Sequence, residues 1–301
     1  MRYAIVDIGS NTVKISIYDD ESGVLKHVLS QSNTLGLATF RRDDQLTEEG
    51  ITILATTLNE YKNLAAMVSA DHVACIATAS LRNLANAVYV VEQIKRLCGM
   101  TIDIISGERE AALGFSSLIA AVGVPQDGIF LDLGGASTEL ITVRNARPIT
   151  TVSLPFGALK LYHTYIKAIF PTPEEEDAIR QGVAEALNAF SNGESLSCDT
   201  AYLTGGTAKA IAKLMRMLSP DGGGRRIFSV EEVRGLSQKI GSSDGEFLHR
   251  AAARIPERIH MITPGLIALL TILERFGVKT VHIVYSGIRD GYVAEMSGLR
   301  L

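Results

Sequence analysis

The sequence predicts an α/β chain built from two duplicated domains, on three observations. Apolar strand-like runs alternate with helical periodicity along the whole length. The turn Asp7-Ile8-Gly9-Ser10-Asn11-Thr12 has a counterpart in Asp132-Leu133-Gly134-Gly135-Ala136-Ser137-Thr138, with the two aspartates 125 positions apart. Each copy also follows a short apolar run and leads into a second one, so a single strand–turn–strand unit is used twice. Two glycine-containing turns, each led by a carboxylate, suggest one phosphate site between two halves.

The elements follow in order. Residues 3–8 and 13–18 read as a hairpin, with a further strand near 23–29. Thr47-Glu48-Glu49-Gly50 opens a helical pattern through Leu54, Leu58, Tyr61, Leu64 and Met67. Strand 71–77 ends in Thr78-Ala79-Ser80-Leu81-Arg82, and 83–97 reads as a helix. Strand 101–105 stops at Ser106-Gly107, before a helix over 108–121. Residues 124–128 have linker composition. The second half repeats the order, with strands near 129–133, 138–144 and 148–153 and helices near 157–169 and 173–190. Strand 200–203 leads through Thr204-Gly205-Gly206-Thr207 into a helix ending at 218. The glycine-rich run 221–226 reads as a loop. Helices near 230–240, 244–254 and 263–276, a strand at 280–285 and a final helix complete the chain.

The 301 residues suffice for two domains with sizeable cores. With 29 basic and 33 acidic residues, the formal charge of −4 argues against a strongly basic nucleic-acid binder. An anionic substrate would need a local positive field. Cys75, Cys98 and Cys198 are odd in number and form no CxxC, which fits reduced thiols in a cytoplasmic protein. The six histidines lack metal-ligand spacing. Asp7 interrupts the N-terminal apolar run, so no signal-peptide core is expected. Residues 266–273 form the longest apolar stretch, short of the ~20 a spanning helix needs; no membrane partner is expected.

Several residues could carry chemistry. Asp7 and Asp132 end apolar strands, where they would either hold a hydrated Mg²⁺ or cap their own turns. Gly9, Ser10, Asn11 and Thr12 offer backbone and side-chain donors to an oxyanion, as do Gly134, Gly135, Ser137 and Thr138. Glu110 opens a helix, where it could activate water or simply favour the helix dipole. Glu139 starts the strand after Asp132. Gly205 and Gly206 join strand to helix and could aim N–H groups at phosphate or pack tightly. Arg82 and Arg289 follow strands, as phosphate forks or as solvated side chains. Arg225-Arg226 reads as a solvated loop.

This constellation resembles the exopolyphosphatase / guanosine pentaphosphate phosphatase (Ppx/GppA) family. The motifs are Asp7 to Thr12, Ala77 to Arg82, Ile105 to Ala111, Asp132 to Glu139, Thr204 to Ala208 and Ser286 to Gly291; in order, they cover nearly the whole chain. The resemblance implies two ribonuclease-H-like domains of the actin-like ATPase (sugar kinase/Hsp70-type) fold flanking a cleft. Their expected bounds are 1–125 plus the C-terminal helix 287–301, and 126–286. It also implies removal of terminal phosphate from inorganic polyphosphate, or of the 5′ γ-phosphate from guanosine pentaphosphate, with Mg²⁺ or Mn²⁺. Position matching makes Glu110 catalytic, with Asp132 and Glu139 holding metal and water. It puts Ser10, Asn11, Arg82, Ser137, Thr138 and Arg289 on phosphate. The chain stops before the extra helical domains of longer members, and a homodimer is among the assemblies left open.

Four departures bear on substrate preference. Arg109 stands where the family has the first glutamate of Gly-x-Glu-Glu-Ala, which with Ser106 as N-cap would complete a capping box, and is expected to point at substrate or pair with Glu110. Ala136 replaces a third glycine. Thr34-Leu35-Gly36-Leu37-Ala38 lacks a cleft Arg and Glu, for which Arg41 or Arg42 would substitute. His260 takes a common aspartate position. Two rival functions stay open: an ATP-dependent kinase or ATPase of the same fold, and a non-catalytic sensor of polyphosphate or alarmone.

Overall fold

The computed structural model describes residues 1–123, 127–190, 197–218, 224–241 and 245–301. The chain divides into two compact units, Met1–Ala120 with Ile288–Leu301, and Ala121–Gly287.

The first unit is a five-stranded sheet ordered β3-β2-β1-β6-β7. It comprises β1 (Arg2–Ile8), β2 (Thr12–Glu21), β3 (Val24–Thr34), β6 (His72–Ala77) and β7 (Ile102–Ile104). A small hairpin of β4 (Arg41–Arg42) and β5 (Gln45–Leu46) lies outside it. The helices are α1 (Glu48–Met67), α2 (Ala79–Arg82), α3 (Ala87–Cys98), α4 (Gly107–Val122) and the C-terminal α11 (Ile288–Ser297). Strand β1 is antiparallel to β2 and parallel to β6. Its alternate side chains serve two cores. Ala4, Val6 and Ile8 pack with Leu54, Leu58 and Tyr61 of α1 and Val90 and Ile94 of α3. Tyr3 and Ile5 pack on the other face with Leu113 of α4 and Ile288 and Val293 of α11. A hairpin strand with helices on both faces is therefore apolar at every central position.

The second unit repeats this topology with one added edge strand, in the order β10-β9-β8-β11-β13-β12. Its strands are β8 (Gly128–Leu133), β9 (Thr138–Arg144), β10 (Arg147–Leu154), β11 (Thr200–Thr204), β12 (Ile227–Ser229) and β13 (Thr280–Ile283). The helices are α5 (Ala158–Tyr165), α6 (Pro173–Phe190), α7 (Gly205–Leu218), α8 (Val230–Gly241), α9 (Gly245–Arg254) and α10 (Ile259–Arg275). Strands β8, β9, β10, β11 and β13 pair in the same senses as β1, β2, β3, β6 and β7. The duplication read from two turns thus extends to the strand order. Helix α10 is buried along nearly its whole length and packs against α5, α6, α7 and α8. Among the described residues, no helix is long and apolar enough to cross a membrane.

Four expectations are corrected. The predicted helix 83–97 begins only at Ala87, as α3, with the short α2 before it over Ala79–Arg82, because the Asn86 amide is engaged elsewhere. It accepts from Leu46 N (3.0 Å) and donates to Leu46 O (2.9 Å), which holds residue 86 outside the helix. Helix α10 begins at Ile259 rather than 263. Pro264 forfeits one helix hydrogen bond at about 3 kcal/mol, but the extra turns bury Met261 and Ile262, at about 1.5–3 kcal/mol each. Helix α5 ends at Tyr165, where Ile166 turns extended. Strand β12, three residues long, is too short to show a pattern. The expected linker at 124–126 and the loop residues 221–223 lie outside the described residues.

Candidate phosphate site

Each unit gathers its predicted residues at one edge of its sheet, where the parallel strands end. The two aspartate-led turns close identically. Gly9 N donates to Thr12 O (3.1 Å) and Gly134 N to Ser137 O (3.0 Å). A Cβ on either glycine would meet that same carbonyl oxygen, at 2.9 Å and 3.0 Å respectively. The glycines are therefore set by close backbone approach.

In the first unit the turns after β1, β6 and β7 are tied together. The Ser80 hydroxyl donates to Ile8 O. Arg82 donates to Ile105 O (3.0 Å) and pairs with Glu110 (2.9 Å). This pair is largely buried, with side chains 21% and 11% exposed. It fixes the carboxylate orientation and leaves it at the head of α4, where the helix dipole favours negative charge. Arg289 donates to the Asp7 carboxylate (3.0 Å). Among the described residues, Arg289 Nε and Asn11 Nδ2 are buried donors with no hydrogen-bond partner. Buried orphan donors are rare and costly, and an anion's oxygens would satisfy them. Leu35 N and Gly36 N donate to Asn11 O, and Ala38 N to Ser10 O. The altered 34–38 segment thus props the first turn through its backbone. Arg41 binds Asp44 and Asn83 O, and Arg42 binds Thr39 O and Arg41 O, so both expected substitutes are spent on local contacts.

In the second unit, Gly134 O and Gly135 O accept from Ala158 N and Lys160 N at the start of α5 (both 2.9 Å). Thr138 donates to Phe156 O (2.8 Å). Gly157 sits so close to the turn that a Cβ there would lie 2.6 Å from Gly135 C and 2.7 Å from Ala136 N. Thr204 bonds Ser286 O, joining the turns after β11 and β13. Gly205 has φ +84°, and a Cβ on it would collide with the Asp132 carboxylate. On Gly206, a Cβ would collide with the Arg258 guanidinium, which lies flat against that glycine. Burial pulls the Arg258 pKa down, while the charges of Glu257 and Asp132 oppose that shift.

Sequence reasoning missed Arg258 and Gly157. The only signal for Arg258 was its place beside His260. The signal for Gly157 was a glycine just before a helix start. His260 is half-buried, edge-on to the Tyr162 ring (4.9 Å). Its pKa is lowered by burial, then by His163 and Arg258.

The carboxylates can be tested against a divalent cation. Asp132 and Glu139 face each other across β8 and β9, which puts both side chains on one face, where like charges repel. Glu139 is 2% exposed and accepts from Ser153 (2.8 Å). The matching position opposite Asp7 is Lys14. Two facing carboxylates fit Mg²⁺, which takes one or two carboxylates beside waters and phosphate oxygens. Asp7, in the first unit, accepts from Arg289 through one carboxylate oxygen (3.0 Å). Among the described residues no three His, Cys, Asp or Glu side chains form a ligand cluster.

Arg109 departs from expectation. It neither pairs with Glu110 nor serves the turns. Its guanidinium binds Asp103 (3.0 Å) and Glu295 (2.7 Å). The Ser106 hydroxyl caps its backbone N–H (3.1 Å). Arg225 likewise pairs locally, with Glu232.

Each unit of this duplicated α/β scaffold thus gathers glycine turns with arginines and carboxylates at one edge of its sheet. The chain belongs to the Ppx/GppA phosphatase family, whose family model matches residues 16–299. A guanosine-5'-triphosphate,3'-diphosphate pyrophosphatase from Photobacterium profundum is 24% identical over 297 residues, covering 98% of this chain and 59% of the relative. The chain thus spans about three-fifths of the length of the curated relatives it matches. Among solved structures, the Aquifex aeolicus Ppx/GppA family member has TM-score 0.79 at 24% identity, covering 99% of this chain and 97% of that one. An exopolyphosphatase from Cytophaga hutchinsonii has TM-score 0.86 at 17% identity, covering 100% and 99%. These likenesses establish the fold, two α/β units each built on a mixed sheet.

Proposed function

We propose that the chain hydrolyses phosphoanhydride bonds, releasing terminal orthophosphate from inorganic polyphosphate or the 5′ γ-phosphate from guanosine pentaphosphate. The observation that carries this reading is the largely buried Glu110 carboxylate, held by Arg82 beside the turn after β6. A fixed carboxylate at a phosphate-binding edge is what a general base for water requires. Family membership and the relative's name support the same chemistry.

In this reading, Glu110 takes a proton from water as the water oxygen bonds to the terminal phosphorus. The bridging P–O bond breaks, and the shortened chain leaves as an oxyanion. Arg82, once its partner is protonated, is free to face the phosphoryl oxygens. In the first unit Arg289 Nε, Asn11 Nδ2 and the N–H groups of Ser10 and Asn11 donate to phosphate oxygens, Gly9 N being spent on Thr12 O; in the second, the 134–138 turn, apart from Gly134 N, and Gly205 and Gly206 offer N–H groups to phosphate. Arg258 adds a guanidinium in the second unit. Asp132 and Glu139 would hold Mg²⁺, which supplies charge neutralisation and Lewis acidity when bound.

Glu110→Gln tests the proposal. The amide keeps the size and can accept from Arg82, but it cannot take a proton. Phosphate release should fall ~10²–10⁴-fold with an unchanged circular dichroism spectrum. Near-wild-type turnover would remove Glu110 from the reaction. Polyphosphate, guanosine pentaphosphate and ATP offered in parallel with Mg²⁺ identify the substrate. Phosphorylation of an acceptor by ATP would instead favour a kinase, and tight binding without release a sensor.

A further inference from the structure

The first turns of α4 and α11 are copies of one motif. Ser106-Gly107-Glu108-Arg109-Glu110 follows β7, and Ser286-Gly287-Ile288-Arg289-Asp290 follows β13, the matching strand of the second repeat. Arg109 is therefore the counterpart of Arg289. The two arginines have been put to different uses. Arg289 faces Asp7 at the phosphate edge. Arg109 turns to Asp103, at the end of β7, and to Glu295, one turn from the end of α11.

We propose that Arg109 is a positioning residue that clamps α11 to the head of α4 and so fixes Arg289 relative to Glu110. This rests on the hydrolase reading above. The clamp joins three elements through one guanidinium, which also lies 5.4 Å from the centre of the Tyr292 ring. The Tyr292 hydroxyl donates to the same Asp103 carboxylate (3.1 Å). The two helices touch backbone to backbone. A Cβ on Gly291 would lie 2.7 Å from Leu113 C, so no side chain separates them there. On the far side, Tyr18 donates to Asp290 (3.0 Å). Helix α11 is thus held at Asp290, Gly291, Tyr292 and Glu295, and Arg289 sits at the head of this held segment. Arg109 immediately precedes Glu110, so the clamp and the proposed base share one helical turn.

A purely structural role would show in stability. Here it should not, because Arg109, Asp103 and Glu295 are 40%, 41% and 54% exposed and solvent screens such pairs. Geometry is the more sensitive readout, since displacement of a positioned group by about 1 Å can cost ~10²-fold in rate. The experiment compares Arg109→Met, Arg109→Glu, Glu295→Arg and the double charge swap, by kcat and KM for phosphate release from tripolyphosphate with Mg²⁺ and by thermal midpoint. Each single variant should lose roughly tenfold in kcat, with little change in KM or midpoint. The charge swap should regain the part of the loss carried by the Glu295 contact but not the part carried by Asp103, which a glutamate at 109 would repel. A kcat for Arg109→Met within twofold of wild type, or a swap no better than its parents, overturns the proposal. Should the wild-type chain release no phosphate, the hydrolase reading fails by itself. The clamp is then decided by tripolyphosphate titration: weaker binding in Arg109→Met that the swap restores supports it, and equal affinities overturn it.

Discussion

Gly206→Ala separates the glycine's role as a seat for Arg258 from its role as flexible backbone. The backbone at Gly206 is not in the left-handed region, in contrast to Gly205 at φ +84°. Alanine is therefore compatible with the first turn of α7, and in a helix it is favoured over glycine by up to ~1 kcal/mol. The three atoms nearest the built Cβ all belong to the Arg258 guanidinium, with Nη1 at 2.6 Å and Nη2 and Cζ closer still. A guanidinium is the far end of a flexible side chain, so it can swing away at small cost to the fold. The fold should then be as stable as wild type while the cation is displaced. A hydrogen bond from a charged donor is worth ~1.5–3 kcal/mol. At about 1.4 kcal/mol per factor of ten, KM for tripolyphosphate should rise about tenfold to a hundredfold. Arg258→Met should match it, and the double variant should be no worse than either, since both remove one interaction. Steady-state phosphate release and a thermal melt suffice as assays. If Gly206→Ala leaves KM unchanged while Arg258→Met raises it, the seat argument is wrong. If neither moves KM, Arg258 does not contact substrate.

Two further outcomes are expected. Gly157→Ala should destabilise by about 1–3 kcal/mol, because its Cβ would meet backbone at 2.6–2.7 Å and backbone has no rotamer to yield; an unchanged urea midpoint would contradict the packing described for the 134–138 turn. His260 has a folded-state pKa below its unfolded value of about 6.5. Its unfolded form therefore takes up protons first as pH falls, so stability should be level above pH ~6.5 and decline on acidification below it. His260→Asn should make that decline shallower, although His282, likewise depressed by burial, keeps part of it; an unaltered slope would exclude His260 as a contributor.

The fold was legible because duplication leaves a backbone signature that composition cannot blur. The Asp-x-Gly turns must close on a carbonyl 2.9–3.0 Å from where a Cβ would sit, so glycine persists in both copies. Tyr3 to Val6 stayed apolar because β1 lies mid-sheet with cores on both faces. What escaped depends on partners distant in sequence. Arg258 reaches Gly206 across 52 positions, and Arg109 reaches Glu295 across 186. A local reading of Arg109 saw only the neighbouring Glu110. Asn86 breaks a helical pattern because of Leu46, 40 residues earlier. Pro264 misplaced a helix start because burial of two side chains outweighed the lost hydrogen bond.

The two copies have diverged by charge, which bears on where a cation belongs. Across the first hairpin, Asp7 faces Lys14 and accepts from Arg289. Its negative charge is offset within the chain. Across the second, the same register sets Asp132 against Glu139, with Glu139 nearly sealed from solvent. A buried carboxylate opposite another is unfavourable unless a proton or a cation intervenes. One substituted position, lysine in one repeat and glutamate in the other, therefore sets the turn's aspartate against a cation in the first unit and against a second carboxylate in the second. The division also accounts for the arginines. In the first unit Arg82 and Arg289 each engage a carboxylate directly, whereas in the second Arg258 rests against a glycine, within the field of Asp132. An ancestral pair of equal halves could not hold both arrangements at once. The two units thus carry opposite charge at one matching position of a shared backbone pattern.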